Sequence, residues 1–168
     1  MEHPVTPEEI GRAEKLHSIL LFDFIVVQVF LFVLAIGLMK QTGNLSLAII
    51  PAISFALLGY VLLQASQAVA KESSWFVRCH MLLAAKRARL FLLLFLITGT
   101  FTAGMFFGGP QLGMSKIASY SLAFGIGQLP FMVALLTLVV MEYDASHQCK
   151  SGKIPAAAIA LHPAVTEA

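Results

Sequence analysis

The stretch IASYSLAFGIGQLPFMVALLTLVVM, residues 117–141, runs for 25 residues without a charged side chain. At a rise of about 1.5 Å per residue, a helix of this length crosses the roughly 30 Å hydrocarbon core of a bilayer. Because the backbone must satisfy its own hydrogen bonds in lipid, such a run is expected to be helical. The chain is therefore predicted to be an integral membrane protein.

Three further apolar runs occupy residues 19–39, 45–63 and 90–107. Across all four runs the only charged residue is Asp23. The two shorter runs reach across a bilayer when their flanking residues are included. We expect an all-α fold with four transmembrane helices. These form a single domain over residues 1–168, with a C-terminal tail from residue 145.

The composition agrees with this class. Of 168 residues, 58% are apolar and only 12% are charged, whereas a soluble domain carries about 25% charged residues. Once four spans are subtracted, no remaining segment is long enough for a separate soluble domain. A formal charge of +2 is too small to indicate nucleic-acid binding, so no nucleic-acid partner is expected.

The orientation follows from the basic residues, which concentrate on the cytoplasmic loops of membrane proteins. The N-terminal arm, the segment between spans two and three, and the tail fall on one face, and the opposite face has only Lys40 and Lys116. Both termini are predicted to be cytoplasmic, in the inner membrane if the source is bacterial. The basic residues on the cytoplasmic face are Arg12, Lys15, Lys71, Arg78, Lys86, Arg87, Arg89, Lys150 and Lys153.

The first helix has a clear start at Thr6-Pro7-Glu8-Glu9. Thr6 is suited to the N-cap, Pro7 to the first helical position, and Glu9 completes a capping box. This helix is predicted to run from about residue 7 to residue 40, so its first turns project into the cytoplasm.

Residues 70–89 form the largest segment between spans, and basic and aromatic side chains alternate within it. Such composition beside a span is typical of the headgroup level. We expect an amphipathic helix that leads into span three and contacts anionic lipid headgroups or a partner subunit. The residues assigned to this interface are Trp75, Arg78, Lys86, Arg87 and Arg89.

Small residues recur four apart on the last two spans. Thr100, Gly104 and Gly108 lie on span three, and Ser121 and Gly125 lie on span four. Small residues let helix backbones approach closely, which drives association in lipid. They are predicted to pack these spans together within the chain or, alternatively, to pack against another subunit.

Asp23 is the most distinctive polar residue of the spans, because burying an ionised carboxylate in a span costs free energy unless it has a partner. It is either a relay for a proton or cation, or the ion-pair partner of Arg87 or Arg89 at similar depth. Gln28 lies about 140° around an α-helix from Asp23. The two residues are therefore not expected to share a face.

Glu142 and Asp144 close the last span at a helix C-terminus, where acids are unfavourable. They are expected to face Lys86 or Arg87, or water.

The histidines and cysteines near the cytoplasmic face are candidate ligands. His17, His80 and His147 would supply a pair of imidazoles for haem b. With Cys79 and Cys149 they would also offer metal ligands, although the spacing is not that of a zinc site. No cofactor is predicted, and haem b remains the alternative.

No motif for nucleophilic, phosphate-binding or metalloprotease chemistry is present, so an enzyme is not expected. The function expected is a non-catalytic accessory or structural subunit of a larger membrane complex, bound to other membrane protein subunits and lipids. One alternative is a small homo-oligomeric transporter, coupled to protons or ions through Asp23. Another is a redox subunit that carries haem or a metal.

Overall fold

The computed structural model describes residues 5–31, 33 and 45–161, and within these residues every regular element is helical. The elements are α1 (Pro7–Phe22), a π-helix (Asp23–Leu31), α2 (Leu45–Lys71), α3 (Trp75–Ala103), a π-helix (Gly104–Gly108), a 3₁₀ helix (Pro110–Leu112), α4 (Lys116–Leu122), a π-helix (Ala123–Gln128), α5 (Leu129–Lys150) and α6 (Ala156–Ile159).

Three helical segments are long and apolar enough to cross a membrane: Ile49–Ala68, Trp75–Gly108 and Lys116–Lys150. The prediction of an all-helical protein is confirmed for the described residues, and these three helices have the length and apolar composition that a membrane span requires. The predicted span at residues 19–39 lies partly outside the described residues.

The predicted capping box starts α1. The Thr6 hydroxyl accepts from the Glu9 amide at 3.3 Å, and the Glu9 carboxylate accepts from the Thr6 amide at 2.8 Å. Pro7 occupies the first turn. Hydrogen bonds from the side chain of Ser74, and then from Thr6, lower the pKa of Glu9 to about 2. The first helical turn is thus fixed both within α1 and by the residue preceding α3.

Two compact units divide the chain. The first contains Met1–Arg89 and Val139–Ala168. Each of its long helices buries a stripe of residues three or four apart, which is the signature of helices packed along one face. Members of these stripes are Ala13, Leu16, His17 and Leu20 on α1, Ser54, Leu58, Val61 and Ala65 on α2, Phe76, His80, Ala84 and Ala88 on α3, and Glu142, Ala145 and Cys149 on α5.

The C-terminal segment, residues 151–161, folds back onto this first unit. Gly152 has a φ of 68°, a left-handed conformation that glycine adopts without steric cost. Ile154 then packs against two buried clusters, and Ala158 of α6 is fully buried. Since α5 continues to Lys150, the tail begins later than the expected residue 145.

The second unit, Leu90–Leu138, contains its own aromatic contacts. The rings of Phe91, Phe95 and Phe131 lie 5.7–5.8 Å apart, centroid to centroid. Phe106 stacks on Tyr120 with centroids 4.7 Å apart. These pairs connect the helical segment that follows Leu90 with α4 and α5.

The close helix approaches in this second unit do not use the predicted small-residue stripe. A Cβ added at Gly109 would collide with Ser119, and one added at Gly127 would collide with Thr102. Among the described residues, a Cβ added at Gly104 or Gly108 would meet no atom within 4 Å. The π-helices at Gly104–Gly108 and Ala123–Gln128 change the number of residues per turn. Counting by fours along the sequence therefore selects other residues than those in contact.

Replacing Thr6 with alanine is expected to loosen the first turn of α1. Loss of an N-cap hydroxyl costs about 1 kcal/mol, which lowers amide protection roughly fivefold. Hydrogen exchange at the amides of residues 8–10 measures this effect. Glu8→Gln, which alters the neighbouring first-turn acid outside the capping box, should leave the protection nearly unchanged.

The lowered pKa of Glu9 also sets the pH range of the cap. A carboxylate with a depressed pKa contributes above its unfolded pKa of about 4.5, and the contribution is lost as pH falls towards about 2. Protection of the first turn should therefore be constant from pH 7 to 5. A loss of protection within that range would contradict the assignment.

Candidate functional site

A buried carboxylate, that of Glu142, joins three helices of the first unit. Its Oε1 lies 2.5 Å from Nδ1 of His17 on α1, and its Oε2 accepts from Nη1 of Arg87 on α3 at 2.8 Å. His17 and Glu142 are fully buried, and Arg87 is 6% exposed. The carboxylate thus has a basic partner on each oxygen, as a charge in an apolar interior requires.

The positions of these groups follow from the helical stripes. Glu142 lies between Leu138 and Ala145 on the buried face of α5, and His17 follows Leu16 on that of α1. Residues three and four apart face the same way on a helix. Each of these polar residues therefore occupies a position at which the pattern otherwise places an apolar side chain.

His80 extends the network towards the C-terminal segment. Its Nδ1 lies 3.0 Å from Nε2 of His17, and its Nε2 lies 3.0 Å from the carbonyl oxygen of Lys153. The two imidazole rings meet edge to face, and Phe76 covers the His80 ring with centroids 4.7 Å apart. Since a carbonyl oxygen only accepts, Nε2 of His80 must carry its proton. The Lys153 carbonyl thereby fixes Nε2 of His80 as a hydrogen-bond donor.

A second polar cluster surrounds Asp23. The Ser54 hydroxyl donates to Oδ1 of Asp23 at 2.6 Å, and the Gln28 amide donates to Ser54. All three residues are buried. Oδ2 of Asp23 has no hydrogen-bond partner among the described residues. A buried carboxylate with one oxygen unpaired is the kind of group that marks proton or ion sites in membrane proteins.

The predicted pairing of Asp23 with Arg87 or Arg89 is replaced by this cluster. Arg87 pairs with Glu142, and Arg89 is exposed. Asp23 and Gln28 both belong to the π-helix Asp23–Leu31, whose hydrogen bonds run from i to i+5. Residues five apart therefore come closer in azimuth than the α-helical count of about 140° allows, and both reach Ser54.

The interface residues assigned to the segment 70–89 fall into two groups. Lys86 and Arg89 are exposed, as expected of headgroup or partner contacts. Arg87 instead points into the core, and Trp75 packs against the cluster of Cys79, Leu83, Ala145 and Ala158. Arg78 is half-buried, with its Nε unpaired among the described residues.

The candidate haem and metal ligands do not form one site. His17 and His80 are bonded directly to each other, whereas axial ligands of a haem lie on opposite faces of the ring. No haem fits between them in this arrangement. His147 is exposed, and Cys79 and Cys149 are buried in separate clusters. Among the described residues no group of three or more His, Cys, Asp or Glu side chains could hold a metal ion.

Sequence reasoning placed Glu142 opposite Arg87 as one possibility, but missed His17 as the second partner of Glu142 and His80 as the partner of His17. The available signal was the interruption of each apolar stripe by one polar residue at a core position. Nothing in the sequence indicates the Lys153 carbonyl. The comparisons add no further assignment, because no family model, curated protein or solved structure matches this chain.

Arg87→Met should destabilise the first unit, whereas Lys86→Met should not. Removing one partner of a buried ion pair costs about 3 kcal/mol or more, because the remaining charge stays buried. Substitution of an exposed lysine lies within about 0.5 kcal/mol. For a chain of this size the difference corresponds to a midpoint roughly 6–12 °C lower. Thermal unfolding in mild detergent, followed by circular dichroism, measures it, and equal midpoints would show that Arg87 is not a structural partner.

Proposed function

We propose that this chain is a non-catalytic subunit of a larger membrane assembly, and that another helix packs on the small-residue face of α3. The observation that carries the proposal is that the small residues of this face are exposed and have no helix packed against them among the described residues. Thr100, Ala103 and Gly104 are exposed, and the glycine meets no atom of the described residues where a Cβ would stand. In lipid, such a face gives its stabilisation only when a second helix approaches closely.

The internal contacts of the second unit support this interpretation. The helix pairing there is made by Thr102, whose hydroxyl donates to the Ala123 carbonyl at 3.4 Å, and by the approaches at Gly109 and Gly127. Because these residues complete the internal pairing, Thr100 and Gly104 remain available. Ser121 is likewise exposed, and Gly125 is open to an added Cβ among the described residues.

We further propose four membrane crossings with both termini cytoplasmic, the first crossing including residues 19–39. The exposed Lys86 and Arg89 then lie at the level of anionic headgroups, where each adds about 1 kcal/mol of attraction. An open groove of about 230 Å³ has Arg12, Lys71 and Glu72 in its lining, and Arg12 pairs with Glu72 there, so Lys71 is the cation of this groove that suits the same headgroups.

Gly104→Leu should release the partner while the chain itself remains folded, because a Cβ at this position meets no described atom within 4 Å and the side chain starts into open space. Native mass spectrometry on the untagged protein, extracted gently from its own membrane, should show for the wild type a mass that is not an integer multiple of 18.2 kDa. The variant should be recovered without that added mass.

Val133→Phe is the matched control, since it enlarges an exposed apolar side chain of α5. It should keep the partner. A wild type recovered only at 18.2 kDa or at its simple multiples would overturn the proposal of a hetero-oligomeric subunit.

The second candidate is a small homo-oligomeric transporter coupled to protons or ions through Asp23. The specific observation in its favour is the buried carboxylate whose Oδ2 has no partner among the described residues. Ser54 and Gln28 supply a polar path at this point of the helix pair. Ionisable groups within spans are functional candidates by default.

Asp23→Asn separates the two candidates, since asparagine keeps the shape and the acceptor for Ser54 but cannot ionise. In vesicles with a pH-sensitive dye inside, an imposed pH gradient should decay faster with wild type than in empty vesicles. The variant should return to the empty-vesicle rate, and the exposed Asp144→Asn should behave as wild type. Equal decay with Asp23→Asn and wild type would eliminate the transporter.

A further inference from the structure

We propose that His17, His80 and Glu142 form a proton-binding site closed by the C-terminal segment. The segment docks with uptake of one proton and is released as pH rises. The bound species is the proton itself, held on the two imidazole rings.

The docked state fixes three protons on the ring nitrogens. The Lys153 carbonyl requires a proton on Nε2 of His80. The contact between Nδ1 of His80 and Nε2 of His17 requires one proton, carried by either ring. The contact between Nδ1 of His17 and Glu142 at 2.5 Å requires another proton. Without it, the lone pair of an unprotonated nitrogen would face the carboxylate and repel it. Arg87, bonded to the other carboxylate oxygen, favours the ionised form of Glu142.

Release of the segment removes one of these requirements. Without the Lys153 carbonyl, Nε2 of His80 can be unprotonated and accept a hydrogen bond from water. His80 then donates from Nδ1 to His17, and His17 donates from Nδ1 to Glu142. Every remaining contact is satisfied with two ring protons instead of three, and both imidazoles are neutral.

The sign of the pH effect follows from this difference. The state that holds more protons is favoured at low pH, so docking strengthens in acid and weakens as pH rises. One linked proton changes the docking equilibrium by up to about tenfold per pH unit. The site therefore links proton binding at the core of the first unit to exposure of the residues beneath the segment.

The titratable and charged groups near the site come from the helices packed around His80. The charged groups that act on His80 are His17 from α1, Arg87 from α3 and Glu142 from α5. The buried thiols of Cys79 and Cys149 lie on α3 and α5, and the ammonium of Lys153 is on an exposed residue.

The protein carries a reporter for docking. Trp75 is the sole tryptophan and packs, together with Ile154 of the segment, against one buried cluster. Release of the segment exposes the indole to water. The emission maximum of the full chain in nanodiscs, recorded from pH 5 to pH 9, therefore follows docking directly.

The wild type should shift to longer wavelength as pH rises. His80→Gln should abolish the transition and keep the short-wavelength emission, because an amide donates to the Lys153 carbonyl at every pH. Glu142→Gln should do the same, since its amide can donate to a bare Nδ1 of His17 and the third proton is no longer required. His147→Gln, which removes an exposed histidine of α5, is the matched control and should behave as wild type.

Emission of the wild type that does not change between pH 5 and 9, or that shifts in the opposite direction, would overturn the proposal. So would a transition that persists in His80→Gln, or one that is lost in His147→Gln. Nitrogen NMR of ¹⁵N-histidine-labelled wild type gives a second readout that does not depend on variant folding. It should count three protonated nitrogens on His17 and His80 together in acid, and two in alkali.

Discussion

The Glu142 carboxylate is the interaction on which the first unit depends. His17 and Arg87, its two partners, come from helices 125 and 55 residues away in sequence. Moving such a charge from water into a protein interior costs several kcal/mol, and only close, well-oriented partners offset that cost. Apolar residues of the same size would pack these helices at least as stably. What the buried pair adds is a unique register, because a slip of one residue on any of the three helices breaks it.

The same constraint acts along α1 and the π-helix that follows it. His17, Asp23 and Gln28 all lie on the buried face, with apolar residues such as Leu20, Phe24 and Val27 between them. A rotation of this helix would therefore disturb both polar clusters at once. Since polar core positions specify registry more sharply than apolar ones, the first helix is the element whose orientation is most strictly determined.

Much of the fold was accessible from the sequence because it depends on local chemistry. The start of α1 at Thr6 and the apolar character of the three long helices follow from capping residues and composition. The partners of Asp23 were not accessible. The π-helix changes the number of residues per turn, and no residue between positions 23 and 31 indicates that change in the sequence. The partners of His17 were hidden for another reason, since they are set by pairing of helices distant in sequence.

The Glu142 network and the small-residue face that includes Thr100 and Gly104 lie in different units of the chain and are stabilised in different ways. His17, His80, Glu142 and the Lys153 carbonyl all belong to the unit formed by Met1–Arg89 and Val139–Ala168, whereas Thr100 and Gly104 belong to the unit Leu90–Leu138. Both oxygens of Glu142 find their partners within the chain, whereas a face of small residues is stabilised only by a neighbouring helix. The proposed binding of a partner helix and the proposed binding of a proton thus use different residues of the same small protein. α3 and α5 contribute residues to both units, so the polypeptide connects the two groups of residues through these helices.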